Sequence, residues 1–196
     1  MKLPHFPNSD KGFTLTELMV VVSIAAIVTG FGYSGFSAWQ ERQVVSSAAF
    51  QLFGDLREAR ALAIEKHFSH TVSFALNGTR YQYTIFVDTN ANGALDAGET
   101  IIRRATVNAI RPAVTLTFPT DDEFNNNVAG RDRLALGITA CFSTTSSFIR
   151  YDKQGMPRGS LGTFPTCTIL IADDNTGYYR YITVSSLGRL DIEPRD

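Results

Sequence analysis

Between residues 18 and 40 the chain carries no charged side chain, only apolar, small and hydroxyl residues and a closing glutamine. A helix of about 20 such residues crosses the hydrocarbon of a bilayer, so the run is long enough to span one. The pattern then changes to one of three- and four-residue intervals. Val45, Ala48, Ala49, Leu52, Leu56, Ala59 and Ala63 repeat at that spacing, while Glu41, Arg42, Asp55, Arg57, Glu58, Arg60 and Glu65 lie largely on other faces. This is an amphipathic continuation of the same helix, whose apolar stripe should pack on a sheet. Beyond His70 the pattern is alternation with β-branched and aromatic enrichment, which predicts strands at 71–76, 80–87, 100–106, 114–118, 134–138, 147–151, 168–171 and 178–184. Asn77-Gly78, Asn92-Gly93, Gln154-Gly155 and Asn175-Thr176-Gly177 are the turns between them, and 119–132 reads as an exposed loop.

What precedes the uncharged run changes this picture. Lys2 and Lys11 lie before it and should stay on the cytoplasmic side, which puts everything after about Trp39 outside. A secretory signal peptide has an apolar stretch of about 7 to 15 residues before its cleavage site. Here the stretch is longer, and after the weak candidate site at Ser34, Gly35, Ser37 and Ala38 the helical register continues through Trp39. Gly30, Gly32 and Gly35 are places where the helix loosens, since each glycine costs about 1 kcal/mol relative to alanine. Glu17 stands at the start of the span, where a carboxylate costs about 2.5 kcal/mol or more unless a partner neutralises it.

Lys11-Gly12-Phe13-Thr14-Leu15-Thr16-Glu17 resembles the type III signal of type IV pilins and pseudopilins. The resemblance implies that a prepilin peptidase cuts between Gly12 and Phe13 on the cytoplasmic side and that Phe13 is then N-methylated. It also implies that Glu17 neutralises the N-terminal amine of a neighbouring subunit and so sets register. An ordinary signal anchor with an accidental glutamate is the alternative. Further along, Phe148-Ile149-Arg150-Tyr151-Asp152-Lys153-Gln154-Gly155-Met156-Pro157, Cys167-Thr168-Ile169-Leu170, Arg180-Tyr181-Ile182-Thr183-Val184 and Gly188-Arg189 are similar to the GspH/FimT minor pseudopilin domain.

The expected fold is therefore α+β and pilin-like, a long N-terminal helix packed on an antiparallel β-rich head. Its expected parts are a cleaved leader, 1–12; a membrane and filament-core helix, 13–38; an amphipathic helix, 39–66; and the head, 67–196. A helix over 13–66 would be near 80 Å long at 1.5 Å per residue, a length that suits a filament. The resemblance implies a structural subunit of a type IV pilus or a type II secretion pseudopilus, held in the inner membrane with a periplasmic head. Its partners would be other pilins, the prepilin peptidase, the inner-membrane assembly platform and, before assembly, membrane lipid.

The net charge of −1 offers no global field for nucleic acid. Competence-linked relatives carry a terminal Gly-Arg-x-Arg motif that contacts DNA; here the positions are Gly188, Arg189, Leu190 and Asp191, with a carboxylate in place of the second arginine. Arg180 and Arg189, with Tyr178, Tyr179 and Tyr181 as stacking surfaces, are the candidate DNA contacts. Half-buried strand residues and a salt-bridged turn arginine are the alternative. Cys141 and Cys167 are the two cysteines, both in the part placed outside the cytoplasm, where a disulfide persists; two buried thiols are the alternative.

Asp88-Thr-Asn90-Ala-Asn92-Gly93-Ala94-Leu-Asp96-Ala-Gly-Glu99 has the spacing of a calcium loop. Asp88, Asn90, Asn92, Asp96 and Glu99 would supply side-chain oxygens, and Ala94 its carbonyl, to a weakly bound structural Ca²⁺. A hairpin connection rich in turn residues is the rival reading, and the flanking segments read as strands. No cofactor is required. No catalytic constellation is present: His67 and His70 lack a clustered third ligand, and Gly159-Ser160-Leu161-Gly162 lacks the spacing of a nucleophile elbow, so no enzymatic role is expected.

Overall fold

The computed structural model describes residues 12–77, 80–109, 112–117, 148–159, 166–173 and 175–194. The strand expected at 134–138, the loop at 119–132 and Cys141 lie outside these. Two compact units divide the chain, residues 1–40 and 41–196. A helix, α1, runs from Leu15 to Lys66 and contributes to both. Among its described side chains in the first unit, Leu18, Met19, Val20, Val21, Val22, Ile24, Ile27 and Val28 are all exposed.

In the second unit the expected stripe is realised. Val45, Ala49, Leu52, Leu56, Ala59 and Ala63 are fully buried, with Ala48 half-buried beside them. The alanines at 48, 49, 59 and 63 let the helix approach its sheets closely, while Leu52 and Leu56 fill the space between. His67 ends the helix with a positive φ of 57°, the left-handed turn that reverses the chain into the first strand.

Among the described residues nine strands follow, in two antiparallel sheets. The first, in the order β3-β2-β1-β5-β6, contains β1 (His70–Asn77), β2 (Arg80–Val87), β3 (Ile101–Thr106), β5 (Phe148–Tyr151) and β6 (Pro157–Arg158). The second, in the order β4-β7-β8-β9, contains β4 (Val114–Thr117), β7 (Cys167–Asp173), β8 (Tyr179–Val184) and β9 (Leu190–Pro194). Val72, Ile85, Ile149 and Tyr151 from one sheet share a core with Val114, Ile169, Ile171, Ile182 and Val184 from the other and with the α1 stripe. Alternation sets the faces: Ile182 and Val184 join that core, whereas Tyr179 and Tyr181 form a separate buried cluster with Leu170.

Seven of the strands coincide with expected segments to within a few residues. Two strands, β6 and β9, are additional. β6 has two residues, one of them proline, too short for any alternation to show. β9 pairs with β8 because a tight turn returns the chain: Gly188 donates its N–H to the Ser185 carbonyl and Ser185 donates to Arg189 O, each at 2.9 Å.

Candidate assembly segment and head sites

The first helical turn is closed by a reciprocal pair. Thr14 N–H donates to Glu17 Oε2 at 3.0 Å, and Glu17 N–H donates to Thr14 Oγ1 at 3.2 Å, a capping box that satisfies two otherwise open donors. The Thr14 hydroxyl adds a third bond to Oε2 at 2.9 Å. Glu17 is thus held in the first turn, where the helix dipole favours an anion, yet it stays exposed to an incoming group. Gly12 and Phe13 precede it in irregular backbone, with Phe13 exposed. Ser23 and Thr29 return their hydroxyl hydrogens to the carbonyls of Met19 and Ala25, so neither needs a polar partner outside the helix. Among the described residues no helix is long and apolar enough to cross a membrane; the uncharged run continues through 31–38, where most side chains lie outside the description.

The segment from Asp88 to Glu99 joins β2 to β3 and is tied by its own donors. Asp88 is buried; its Oδ2 accepts from the Thr71 hydroxyl and Gly93 N–H, both at 2.8 Å, and its Oδ1 accepts from Asn92 N–H at 3.1 Å. The side-chain amides of Asn90 and Asn92 both donate to Asp96 Oδ2 at 2.7 Å, which holds that carboxyl below its ordinary range. Glu99 accepts from the Thr89 and Asp96 N–H groups at 2.8 and 3.0 Å, and Ala94 donates to Asn92 Oδ1 at 2.7 Å. Gly93 has φ +80°, and a Cβ there would come within 2.2 Å of the Phe148 ring, so both backbone and space demand glycine. Each of the five side chains expected to supply oxygens to calcium accepts at least one N–H bond from within the segment, and among the described residues no three Asp, Glu, His or Cys side chains gather as a metal-holding group.

Asp55 departs from its expected outer face. It is buried on the inner side of α1, 3% exposed, where it accepts from the Tyr83 hydroxyl at 2.6 Å and from Arg103 Nη1 at 2.5 Å. The other terminal nitrogen of Arg103 reaches Glu58 at 3.2 Å. Helix, β2 and β3 are therefore bound by one charged cluster. The signal was present in the sequence, since Asp55 lies three residues after Leu52 and four before Ala59, on the stripe itself.

Burial, followed by the bond to Asp55, raises the pKa of Tyr83, and burial raises that of Tyr151. The folded head keeps both phenolic protons past pH ~10, where an unfolded tyrosine releases its own. Both pKa values being raised, this stabilisation is complete below pH ~10 and declines as pH rises above it. Thermal midpoints measured from pH 8 to 11 should fall most steeply above about 10, and Tyr83→Phe should flatten that limb.

The two candidate DNA arginines lie in different settings. Arg180 is half-buried with its guanidinium over the Phe50 and Tyr178 rings, at 5.5 and 5.9 Å from their centroids. Tyr179 and Tyr181 are buried and closed to base stacking. Arg189 is exposed in the β8–β9 turn and pairs with Asp191, Nε to Oδ2 at 2.8 Å, the salt-bridged form of the alternative reading. His67 and His70 do not converge: His67 is exposed, while His70 is buried and donates from Nδ1 to the Phe68 carbonyl at 2.9 Å. Cys167 is buried, and no free cysteine occurs among the described residues.

Two family models match the chain. The prokaryotic N-terminal methylation motif matches residues 7–33, and Type II transport protein GspH matches residues 48–188. No curated protein sequence matches it. Among solved structures it is similar to the type IV minor pilin FimU of Pseudomonas aeruginosa PAO1, with 18% identity, 80% of this chain and 92% of that chain covered, and a TM-score of 0.51. A second crystal form of FimU has a TM-score of 0.48 at 18% identity, covering 76% of this chain and 92% of that one. The minor pseudopilin EpsH of the Vibrio cholerae type 2 secretion system has a TM-score of 0.46 at 12% identity, covering 76% of this chain and 96% of that one. The likeness to the first FimU structure is one of fold.

Proposed function

Because the chain belongs to the Type II transport protein GspH family of minor pilins and pseudopilins and carries the N-terminal methylation motif, we propose that it enters a filament through α1 while its head selects neighbours. The observation that carries this is the row of exposed apolar side chains between Leu18 and Val28. Lipid covers them while the subunit waits in the inner membrane, and neighbouring helices replace that cover on assembly. A prepilin peptidase opens Gly12-Phe13, Phe13 is methylated, and Glu17 meets the amine of an adjacent subunit. The family's subunits are structural, and the head acts by contact without catalysis.

The finer features follow the same reading. The head is periplasmic, and Cys167 pairs with Cys141, the chain's other cysteine. This reading requires no metal, and a structural Ca²⁺ held by the 88–99 loop is its alternative. Adding millimolar Ca²⁺ to the full chain should leave the thermal midpoint within about 1 °C; a rise of several degrees that Glu99→Gln abolishes would establish a calcium brace instead.

The test is in-cell photocrosslinking from Val21 with mass spectrometry of the captured protein. Capture of type IV pilus subunits assigns the chain to a pilus, and capture of secretion pseudopilins assigns it to a secretion pump. Recovery of no pilin-like partner would overturn the filament reading.

A further inference from the structure

Where the last turns of α1 meet the β5–β6 and β8–β9 turns, the head carries an open groove of about 630 Å³. Arg57, Arg60, Ile64, Leu187, Arg189 and Leu190 line it. One arginine of its cationic wall is held in place: Arg60 Nε donates to the Gly155 carbonyl at 3.0 Å. Gly188, at φ +76°, lets the β8–β9 turn approach that carbonyl, since a Cβ there would lie 2.7 Å from it. The apolar wall is exposed, with Leu187 at 69% and Ile64 at 44%.

Charge in the groove is unbalanced. Asp191 engages Arg189, but among the described residues neither Arg57 nor Arg60 has a carboxylate partner. Arg57 instead lies over the Phe53 ring, 5.5 Å from its centroid. Guanidinium groups beside exposed leucine and isoleucine suit a ligand that brings a carboxylate and a large apolar side chain together. A nucleic acid duplex fits less well: more than half of the lining residues are apolar, Asp191 pairs with the lining Arg189, and Tyr179 and Tyr181 are buried away from any base.

We propose that this groove seats an acidic, apolar chain segment of a neighbouring filament subunit. A carboxylate of that segment is bound by Arg57 and Arg60, and its apolar side chain lies on Ile64 and Leu187. The proposal rests on the filament reading only for the source of the segment; the chemistry of the groove is tested apart from it. Arginine is the suitable cation, because its planar fork accepts a carboxylate with two parallel bonds and keeps its charge at any cellular pH.

The test uses the full chain in detergent and fluorescence anisotropy with a labelled peptide containing Leu-Asp-Phe-Glu, its amide counterpart containing Leu-Asn-Phe-Gln, and a short DNA duplex. The acidic peptide should bind about tenfold or more tightly than the amide peptide. Arg57→Gln should erase that preference, and Leu187→Ser should weaken both peptides. Both residues are exposed, so unchanged thermal midpoints will show that the variants fold. Arg104→Gln, on the exposed strand β3, should change nothing. Equal binding of the two peptides, acidic binding indifferent to both variants, or a duplex that binds more tightly than the acidic peptide would overturn the proposal. None of these results would touch the crosslinking from Val21, so the two readings fail separately.

Discussion

Replacing Asp55 with alanine is expected to destabilise the head by about 3 kcal/mol, the largest effect of any single truncation in the cluster it anchors. The carboxylate is almost fully buried and accepts two bonds, one from a buried phenol and one charge-assisted. Truncation leaves the Tyr83 hydroxyl without its acceptor in the core, which costs about 1 to 3 kcal/mol, and removes a bond to a charged donor. Arg103 limits the total, because it is 44% exposed and regains water when its partner is gone. For a domain of this size each kcal/mol moves the midpoint by about 2 to 4 °C, so the thermal transition should drop by roughly 10 °C. Asp55→Asn keeps an acceptor for Tyr83 and should lose about 1 kcal/mol. If alanine and asparagine proved equal and mild, the cluster would contribute position without stability. A double-mutant cycle with Tyr83→Phe measures the coupling directly.

Glu17→Gln should reduce incorporation into filaments about tenfold or more while leaving the subunit folded and cleaved. The substitution separates two roles that fall on one side chain. As the third helical residue of a capping box, Glu17 accepts from the Thr14 N–H, and a glutamine oxygen can do the same. In the proposed filament it would, as an anion, neutralise an amine brought by the next subunit, which glutamine could not do. Thr14→Ala makes the converse change: it removes the capping hydroxyl that Glu17 N–H uses and retains the charge. It should cost helix stability at the first turn and assemble close to normally. Crosslinking yield from Val21 and the amount of subunit in sheared filaments are the readouts. Normal assembly of Glu17→Gln would leave the carboxylate with a capping role only.

The long helix, its apolar stripe and most of the strands were readable directly from the chain, because their signal is periodic and local. A side chain every three or four residues from Val45 to Ala63, and alternation through β2 and β8, each state which face will be buried before any partner is known. The motif around Gly12, Phe13 and Glu17 was legible for a similar reason, as a short string beside an uncharged run. What lay beyond the sequence were the relations between distant segments. Asp55 reads as one more charge on an amphipathic helix until β2 and β3 deliver Tyr83 and Arg103 to it from 28 and 48 residues away. The groove above Arg57 and Arg60 exists only because the turns at Gly155 and Gly188 close on the same stretch of α1. The loop at 88–99 shows the division within one element. Its composition determined a tight, acidic, glycine-requiring turn, whereas the buried Thr71 hydroxyl and the loop's own amides decided where the Asp88 and Asp96 oxygens point. Periodicity belongs to neighbours along the chain; the partner of a buried charge is chosen only when the sheets and the helix meet.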